Sequence, residues 1–221
     1  MISIRQQWVL RPKNRVIDQI ADIRDALARP GIASSDFDLN PEVILPEGRT
    51  LRAAGVLAPI VHRNGRFELL LTKRSSALKH HPGQIAFPGG KQDKGDADVI
   101  AAALREAREE IGLPSELVEV LGILPPHETV TSFQVTPVIA FVRDRFDIKP
   151  DPGEVEEVFS VPLTHVLNPD NFLIQYRQWR GERRYYYVVP YGPYYIWGAT
   201  ARMLRAWTEQ MISPSPATPA G

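Results

Sequence analysis

The sequence predicts a single α/β (α+β) domain in which a few helices pack on a mixed β-sheet. Runs of strand-forming residues bounded by turn signals alternate with three stretches of helical apolar spacing, and no internal repeat interrupts them. The hydrophobic content of 43% and charged content of 24% are ordinary for a globular protein. A length of 221 residues is enough for one good-sized core with extensions.

The composition excludes several classes of protein. Lys and Arg together number 26, as do Asp and Glu, so no net charge attracts nucleic acid or a membrane surface. No apolar run approaches the roughly 20 residues of a membrane helix, and the N-terminus does not read as a signal peptide. The absence of cysteine excludes disulfides, thiolate zinc sites and a cysteine nucleophile. We therefore expect a cytoplasmic protein with no nucleic-acid or membrane partner, and a homodimer is left open.

The chain divides into a lead-in, a main domain and a tail. Apolar residues at helical spacing over 15–27 predict a short amphipathic helix, and the Pro-, Ser- and Asp-rich residues 30–49 predict a surface loop. We accordingly predict an N-terminal extension over 1–50, the main domain over 51–211 and a disordered tail over 212–221.

The main domain begins with a hairpin. Two strand-like runs over 53–75 flank Asn64-Gly65, a strong turn signal. Further strands are predicted at 117–124, 133–142 and 158–163. A second hairpin is predicted over 172–189, with its turn at 180–182, and a last helix over 199–211.

A central helix is predicted from about residue 97 to residue 111. Asp96 is the expected N-cap, Gly112 the C′ residue, and Pro114 prevents continuation. Ala102 and Ala103 are small residues beside the acidic side of this helix, where they leave room for a loop or a ligand.

The acidic side of this helix carries Glu106, Glu109 and Glu110 on about one turn. A solvated charged face is the ordinary interpretation of such a cluster. However, Glu106 and Glu110 are a like-charged i,i+4 pair near the helix C-terminus, where the helix dipole also disfavours anions. This cost is explained if a divalent cation such as Mg²⁺ or Mn²⁺ is the missing partner. Arg105 is placed to fix a glutamate carboxylate by paired hydrogen bonds.

Residues 105–113, REAREEIGL, resemble the core of the Nudix box, whose pattern is G-x5-E-x7-R-E-U-x-E-E-x-G-U with U a bulky aliphatic residue. The chain departs from this pattern because the spacing from Gly90 to Arg105 is one residue longer. The first glutamate of the pattern would consequently fall on Ala97. Ala107 also stands where the pattern has a bulky residue.

A second resemblance covers residues 70–90, LLTKRSSALKHHPGQIAFPGG, which are similar to the signature of the coenzyme A pyrophosphatase branch of this family. That branch also has the longer spacing after its glycine pair. Residues 154–163 and 196–201 resemble two further segments of the branch, so the resemblance extends over about 52–208.

The resemblance implies a Nudix-type α/β/α sandwich and hydrolysis of the diphosphate of coenzyme A or an acyl-CoA with Mg²⁺ or Mn²⁺. The implied products are 3′,5′-ADP and 4′-phosphopantetheine or its acyl form. Two alternatives are left open: the same fold acting on another dinucleotide such as NADH or ADP-ribose, and an inactive Nudix domain that senses a ligand.

The expected metal ligands are Glu106 and Glu110, joined by Glu109 and, as the resemblance implies, by the carbonyl of Gly90. The general base is left open among Glu106, Glu109 and a carboxylate of residues 154–157, with Glu157 preferred there. Glu109, Arg105 and Glu157 are thus the catalytic candidates.

The expected substrate-binding residues are Gly89 and a cationic rim that suits the extra phosphate of coenzyme A. The rim consists of Arg74, Lys79, His80 and His81. Solvated histidines are the alternative, and zinc binding is not expected because adjacent side chains point apart. The tyrosine-rich runs 185–187 and 194–197 either form the wall of an adenine or pantetheine pocket or belong to the core or the sheet surface.

Overall fold

A computed structural model describes residues 15–179 and 181–213. The helices in this part of the chain are α1 (Arg15–Leu27), α2 (Val99–Ile111), α3 (Leu163–Val166) and α4 (Ala199–Ile212). The strands are β1 (Ser34–Ser35), β2 (Arg52–Arg63), β3 (Arg66–Arg74), β4 (Ile85–Ala86), β5 (Gly89–Lys91), β6 (Val118–Ile123), β7 (His127–Glu128), β8 (Phe133–Val142), β9 (Val155–Pro162), β10 (Leu173–Trp179), β11 (Glu182–Tyr191) and β12 (Tyr194–Trp197).

The main sheet has nine strands and is mixed. Its principal path runs β1-β7-β8-β2-β3-β4, with β5 beside β2, β6 beside β8 and β9 beside β3. Strands β2 and β8 are parallel, whereas β2 and β3 form an antiparallel hairpin. The predicted mixed α/β sheet is confirmed.

Helices cover both faces of this sheet. Leu69 and Leu71 of β3 belong to a core cluster that includes Trp207 of α4, whereas Leu70 between them belongs to a second cluster with α2. Successive strand residues point to opposite faces, so α2 lies on one face and α4 on the other. This arrangement is the predicted α/β/α sandwich. Within the described residues, no helix is long and apolar enough to cross a bilayer.

A second, three-stranded antiparallel sheet follows in the order β10-β11-β12. The sequence predicts its first hairpin but not its third strand. The ring of Tyr194 stacks on that of Phe159 of the main sheet, with centroids 3.6 Å apart and planes 6° from parallel.

Several elements that local sequence signals predict are present in the structure. Asn64 and Gly65 both have positive φ, 51° and 75°, as a two-residue hairpin turn requires. Helix α1 has the predicted bounds, and Gly112 ends α2 in the left-handed conformation at φ 72°. The predicted tail over 212–221 lies outside the described residues except for Ile212, the last residue of α4, and Ser213.

The predicted N-cap of α2 is wrong. The helix begins at Val99, and the side chain of Asp98, not Asp96, accepts a hydrogen bond from Ala101 N at 2.8 Å. Asp96 is held by Arg105 instead, which leaves the next aspartate to cap the helix.

The residues before the main domain pack on it. Ile23 of α1 is 1% exposed within the core shared with α4. The predicted surface loop over 30–49 is partly wrong, because β1 pairs with β7. Ser34 Oγ lies 2.9 Å from His127 Nδ1, and His127 Nε2 lies 3.1 Å from Asp36 Oδ1.

Candidate active site

The acidic helix lies very close to the central strand β2. A Cβ atom at Gly55 would lie only 1.9 Å from the carbonyl oxygen of Val99, so only glycine fits there. Ala102 and Ala103 are fully buried. The interpretation that these alanines leave room for a loop or ligand is therefore wrong, because strand β2 fills the space.

The glycine pair of β5 contacts both glutamates of the i,i+4 pair. Gly89 N donates a hydrogen bond to Glu110 Oε2 at 3.1 Å. A Cβ atom at Gly90 would lie 2.5 Å from Glu106 Oε1. Glycine at both positions brings the backbone against the two carboxylates, which any side chain at residue 90 would displace.

Glu110 is a buried carboxyl group, only 4% exposed. Burial raises its pKa to about 8, with the charges of Glu106 and Glu154 adding to the increase, while the Gly89 hydrogen bond opposes it. Burial also raises the pKa of Glu106, against the effect of Arg105. Two carboxylates brought together at this cost fit a site for a hard divalent cation.

Arg105 links Asp96, in the loop before α2, to the glutamates of the helix. Its Nε and Nη2 bond the two oxygens of Asp96 at 3.0 and 2.9 Å, while its Nη1 donates to Glu106 Oε1 at 2.9 Å and to Glu109 Oε2 at 3.0 Å. Its Nη2 also donates to the carbonyl of Lys91 at 3.2 Å. These contacts raise the pKa of Arg105, the Asp96 hydrogen bonds most of all, and fix the Glu106 carboxylate beside Gly90.

Glu109 occupies a different position from its two neighbours. Its side chain is 58% exposed and is bound to Arg105 on the solvent side. Across residues 15–179 and 181–213, no three Asp, Glu or His side chains are gathered as a ligand set. The two glutamates that lie together against the backbone of the glycine pair are thus Glu106 and Glu110.

A loop from the other end of the domain brings another carboxylate to this pair. Lys149 N donates to Ile111 O at 3.0 Å and Asp151 N donates to Glu110 O at 2.9 Å, which anchors the loop on the last turn of α2. Glu154 lies three residues further along this loop, and its charge raises the pKa of Glu106 and of Glu110.

Glu157 is not brought to the glutamate pair. It accepts a hydrogen bond from Tyr194 Oη at 2.5 Å, and Tyr194 stacks on Phe159 two residues further along β9. Phe159 belongs to the core on the face opposite α2. Because residues two apart in a strand share a face, the Glu157 side chain also lies on that opposite face.

The predicted cationic rim is divided between the site and the surface. Arg74 ends β3, its charge acts on Glu110, and its Nε is buried with no hydrogen-bond partner among the described residues. Lys79, His80 and His81 are exposed in the following loop, which closes where Gly83 N donates to Arg74 O at 3.1 Å. Of the four, Arg74 is the one whose charge lowers the pKa of Glu110.

The tyrosine-rich runs lie in the second sheet. Tyr187 and Tyr194 pack against the core, whereas Tyr185 and Tyr195 are 39% and 42% exposed. The two runs are therefore divided between the core and the sheet surface.

Sequence reasoning missed the role of Asp96. Its nine-residue separation from Arg105 follows neither helical nor strand periodicity, so no pattern signals the contact.

Comparison with known proteins assigns the chain to a family. The model of the NUDIX domain matches residues 51–180, which contain β2, the glycine pair and the whole of α2. Two curated relatives, each named an uncharacterized Nudix hydrolase NudL, come from Citrobacter koseri and an Enterobacter species. The first is 46% identical over 177 residues, covering 78% of this chain and 89% of the relative. The second is 45% identical over 160 residues, covering 72% and 83%.

A solved structure of a MutT protein from Methanosarcina mazei is also similar, with a TM-score of 0.47 and 18% identity over 75% of this chain and 96% of that one. The family match and the curated relatives together establish that the chain belongs to the Nudix hydrolases. This family acts on nucleoside diphosphate-linked substrates and generally uses divalent metal ions.

Proposed function

We propose that this Nudix domain hydrolyses the diphosphate bond of coenzyme A or its thioesters, releasing 3′,5′-ADP and 4′-phosphopantetheine or its acyl form. The observation that supports this substrate is the position of segment 70–90, whose sequence resembles the coenzyme A branch. The charge of Arg74, near the start of the segment, lowers the pKa of Glu110. The backbone N–H of Gly89, near the end of the segment, donates a hydrogen bond to the same carboxylate. The segment between them carries three exposed cationic or titratable side chains at 79–81.

Glu106 and Glu110 are the proposed ligands of Mg²⁺ or Mn²⁺, with the Gly90 carbonyl beside them and Glu109 able to join from the solvent side. A bound divalent ion supplies charge neutralisation at the phosphate oxygens and lowers the pKa of a coordinated water. Arg105 holds Glu106 in place, so it acts by positioning the carboxylate. Asp96 in turn fixes the Arg105 guanidinium with two hydrogen bonds.

Water attacks one phosphorus, the bond from that phosphorus to the bridging oxygen breaks, and a carboxylate accepts the proton of the water. Glu154 is the best-supported acceptor, because its charge acts on both glutamates and its loop is anchored on α2. Glu109 is a second candidate from the same helix. Glu157, the residue preferred from the sequence, lies on the other face of the sheet, bound to Tyr194.

The cationic residues recognise the phosphates of the substrate in this proposal. Arg74 has a buried Nε with no partner among the described residues, and a phosphate oxygen would satisfy it. Lys79, His80 and His81 are exposed and are proposed to meet the 3′-phosphate.

A substrate panel tests this proposal. The protein is incubated with coenzyme A, acetyl-CoA, NADH and ADP-ribose in Mg²⁺ or Mn²⁺, and products are identified by mass. We expect 3′,5′-ADP from the first two, and none from the Glu110→Gln variant purified in the same way. Absence of cleavage of every substrate would refute the enzymatic proposal, whereas much faster cleavage of NADH or ADP-ribose would refute only the choice of coenzyme A.

A second experiment tests the cationic loop separately. The Lys79→Ala variant should raise KM for coenzyme A more than KM for its analogue without the 3′-phosphate, with kcat little changed. An equal rise for both substrates would remove Lys79 from recognition of that phosphate.

A further inference from the structure

The hairpin of β10 and β11 exposes several large apolar side chains. Strand β10 is the last strand of its sheet, and all seven of its residues are exposed. Five large apolar side chains of this hairpin are between 39% and 56% exposed: Leu173, Ile174, Tyr176, Trp179 and Tyr185. They lie on both faces of the hairpin, as the alternation of strand residues requires.

The hydrogen bonds of the Asn40 side chain show in which direction the outer backbone groups of β10 point. Its side chain accepts a hydrogen bond from Tyr185 N at 2.8 Å and donates one to Tyr185 O at 3.0 Å, so both backbone groups of Tyr185 point away from β10. Tyr176 lies directly opposite Tyr185 in the ladder. The two therefore form a non-hydrogen-bonded pair, and the N–H and C=O of Tyr176 also point outward. Ile174 and Gln178, two residues to either side, share that direction.

The backbone groups of Ile174, Tyr176 and Gln178 form this outer edge of β10, and no strand of the described part of the chain pairs with it. Protein edges are commonly blocked by lysine, proline, a bulge or a covering element. The ladder of β10 with β11 runs through seven consecutive pairs without a bulge, and the strand contains neither lysine nor proline. Its one charged residue, Arg177, lies over the rings of Trp179 and Trp197, 5.2 Å from each centroid.

We propose that β10 pairs antiparallel with β10 of a second copy of this chain, about a twofold axis at Tyr176. The outward groups of Ile174, Tyr176 and Gln178 then bond those of Gln178, Tyr176 and Ile174 in the other copy. Two three-stranded sheets become one sheet of six strands. This interface does not use α2 or the glutamate pair, so it is independent of the proposed hydrolysis.

The side chains of β10 are complementary to themselves in this register. Tyr176 meets Tyr176, and Leu173 meets Trp179. Arg177 lies opposite Gln175, so no like charges face each other directly. Cross-strand pairs of aromatic and aliphatic side chains of this kind stabilise antiparallel sheets.

Pairing at this edge covers part of the exposed surface of β10. Leu173, Ile174, Tyr176 and Trp179 are between 48% and 56% exposed, and the added strand lies against the side of each that faces the edge. The strand backbone and the polar side chains of Gln175, Arg177 and Gln178 add to the covered area. One strand pair buries less than the ~800 Å² per partner of a standard interface, so the expected dimer is reversible.

The charges of the hairpin distinguish a second copy of the chain from an acidic partner. In this register the two Arg177 side chains are diagonal neighbours, with Cα atoms about 7–8 Å apart. That separation is close to the Debye length of about 8 Å at physiological ionic strength, so added salt screens their repulsion. The Kd of a dimer of this chain should therefore fall as salt is added. The Kd of a complex between this positive hairpin and an acidic partner should rise instead.

Sedimentation of the full chain at low to high micromolar concentration tests the proposal. We expect a reversible dimer whose Kd rises about tenfold or more for Tyr176→Lys, which places two lysines on the axis. Ile123→Lys is the matched control, because Ile123 is an exposed strand residue (45%) on another sheet, and its Kd should not change. Gln178→Pro removes an outward N–H and no bond to β11, so it should also weaken the dimer.

Amide hydrogen exchange locates the interface directly. The amides of Ile174, Tyr176 and Gln178 should become protected as protein concentration rises, while those of β6 should not. A protein that stays monomeric at high micromolar concentration overturns the proposal. A dimer that forms without protecting these amides, or that Tyr176→Lys leaves intact, overturns it equally.

Discussion

The buried carboxyl group of Glu110 makes the metal-free protein sensitive to pH in a direction that a single substitution can test. Its pKa is raised from 4.5 to about 8 by burial, with the charges of Glu106 and Glu154 adding to the effect. Below pH 4.5 the group is protonated in both the folded and the unfolded chain, so its contribution to folding is fully present there. As the pH rises toward 8, the unfolded chain loses the proton first, and the free energy of unfolding falls.

The size of this loss follows from the two pKa values. A difference of 4.5 to about 8 corresponds to at most ~5 kcal/mol, at about 1.4 kcal/mol for each tenfold step. Relaxation and water entry reduce such a cost, and we expect about 2–4 kcal/mol. The Glu110→Gln variant keeps an oxygen that can accept the hydrogen bond from Gly89 but carries no charge. It should therefore be more stable than the parent by that amount in alkaline solution, and about equal to it in acid.

Urea unfolding in the presence of a chelator, at about pH 4 and about pH 9, measures this difference on either side of both pKa values. Glu109→Gln is the matched control, because Glu109 is 58% exposed on the same helix and its substitution should change stability little at either pH. Equal stability gains for Glu110→Gln at the two pH values would refute the reasoning. A loss of stability in alkaline solution would show that the carboxylate is compensated within the protein itself.

Three further predictions concern the same site. Titration of the metal-free protein with Mn²⁺ near neutral pH should release about one proton from Glu110, detected as a dependence of the calorimetric heat on the buffer, and no release would contradict a protonated ligand. Gly90→Ala should lower kcat by about a hundredfold or more, because the added methyl displaces the Glu106 carboxylate, and unchanged turnover would contradict that close approach. Asp96→Asn should lower kcat about tenfold with KM nearly constant, because Arg105 loses its charged partner, and a rise in KM alone would assign Asp96 to substrate binding.

The sequence predicts elements whose signals are local. Asn64-Gly65 determines the first hairpin because both residues adopt positive φ. The apolar spacing of α1 and the terminal glycine of α2 are equally local, and both elements end where the sequence indicates. The i,i+4 spacing of Glu106 and Glu110 likewise predicts that both carboxylates lie on one side of the helix.

Features that depend on contacts between distant segments are not predictable in this way. Asp96 and Asp98 are equally good N-caps by residue type, and the contact with Arg105 decides between them. The surroundings of Glu157 depend on a similar contact, the hydrogen bond from Tyr194, which no local pattern predicts. The ladder between β3 and β9 shifts register between Lys73 and Arg74, so counting back along β9 from Glu157 does not give the position of Glu154.

The alanines of α2 show a third kind of failure. Small residues indicate that something approaches closely, but they do not say what. Here the approaching group is the backbone of β2 at Gly55, which brings the helix onto the sheet. The same closeness places the last turn of α2 beside the glycine pair, because Gly55 and Gly90 are partners in the β2–β5 ladder.

The packing of residues 15–50 has a consequence for how this protein can be divided. The family match begins at residue 51, yet Ile23 lies in the core and Asn40 binds the backbone of β11. Removal of the preceding residues would leave His127, which is fully buried, without Ser34 and Asp36. The segment matched by the family is therefore shorter than the segment that builds the core, and a chimaera joined at residue 51 would lack part of that core while keeping the whole of α2.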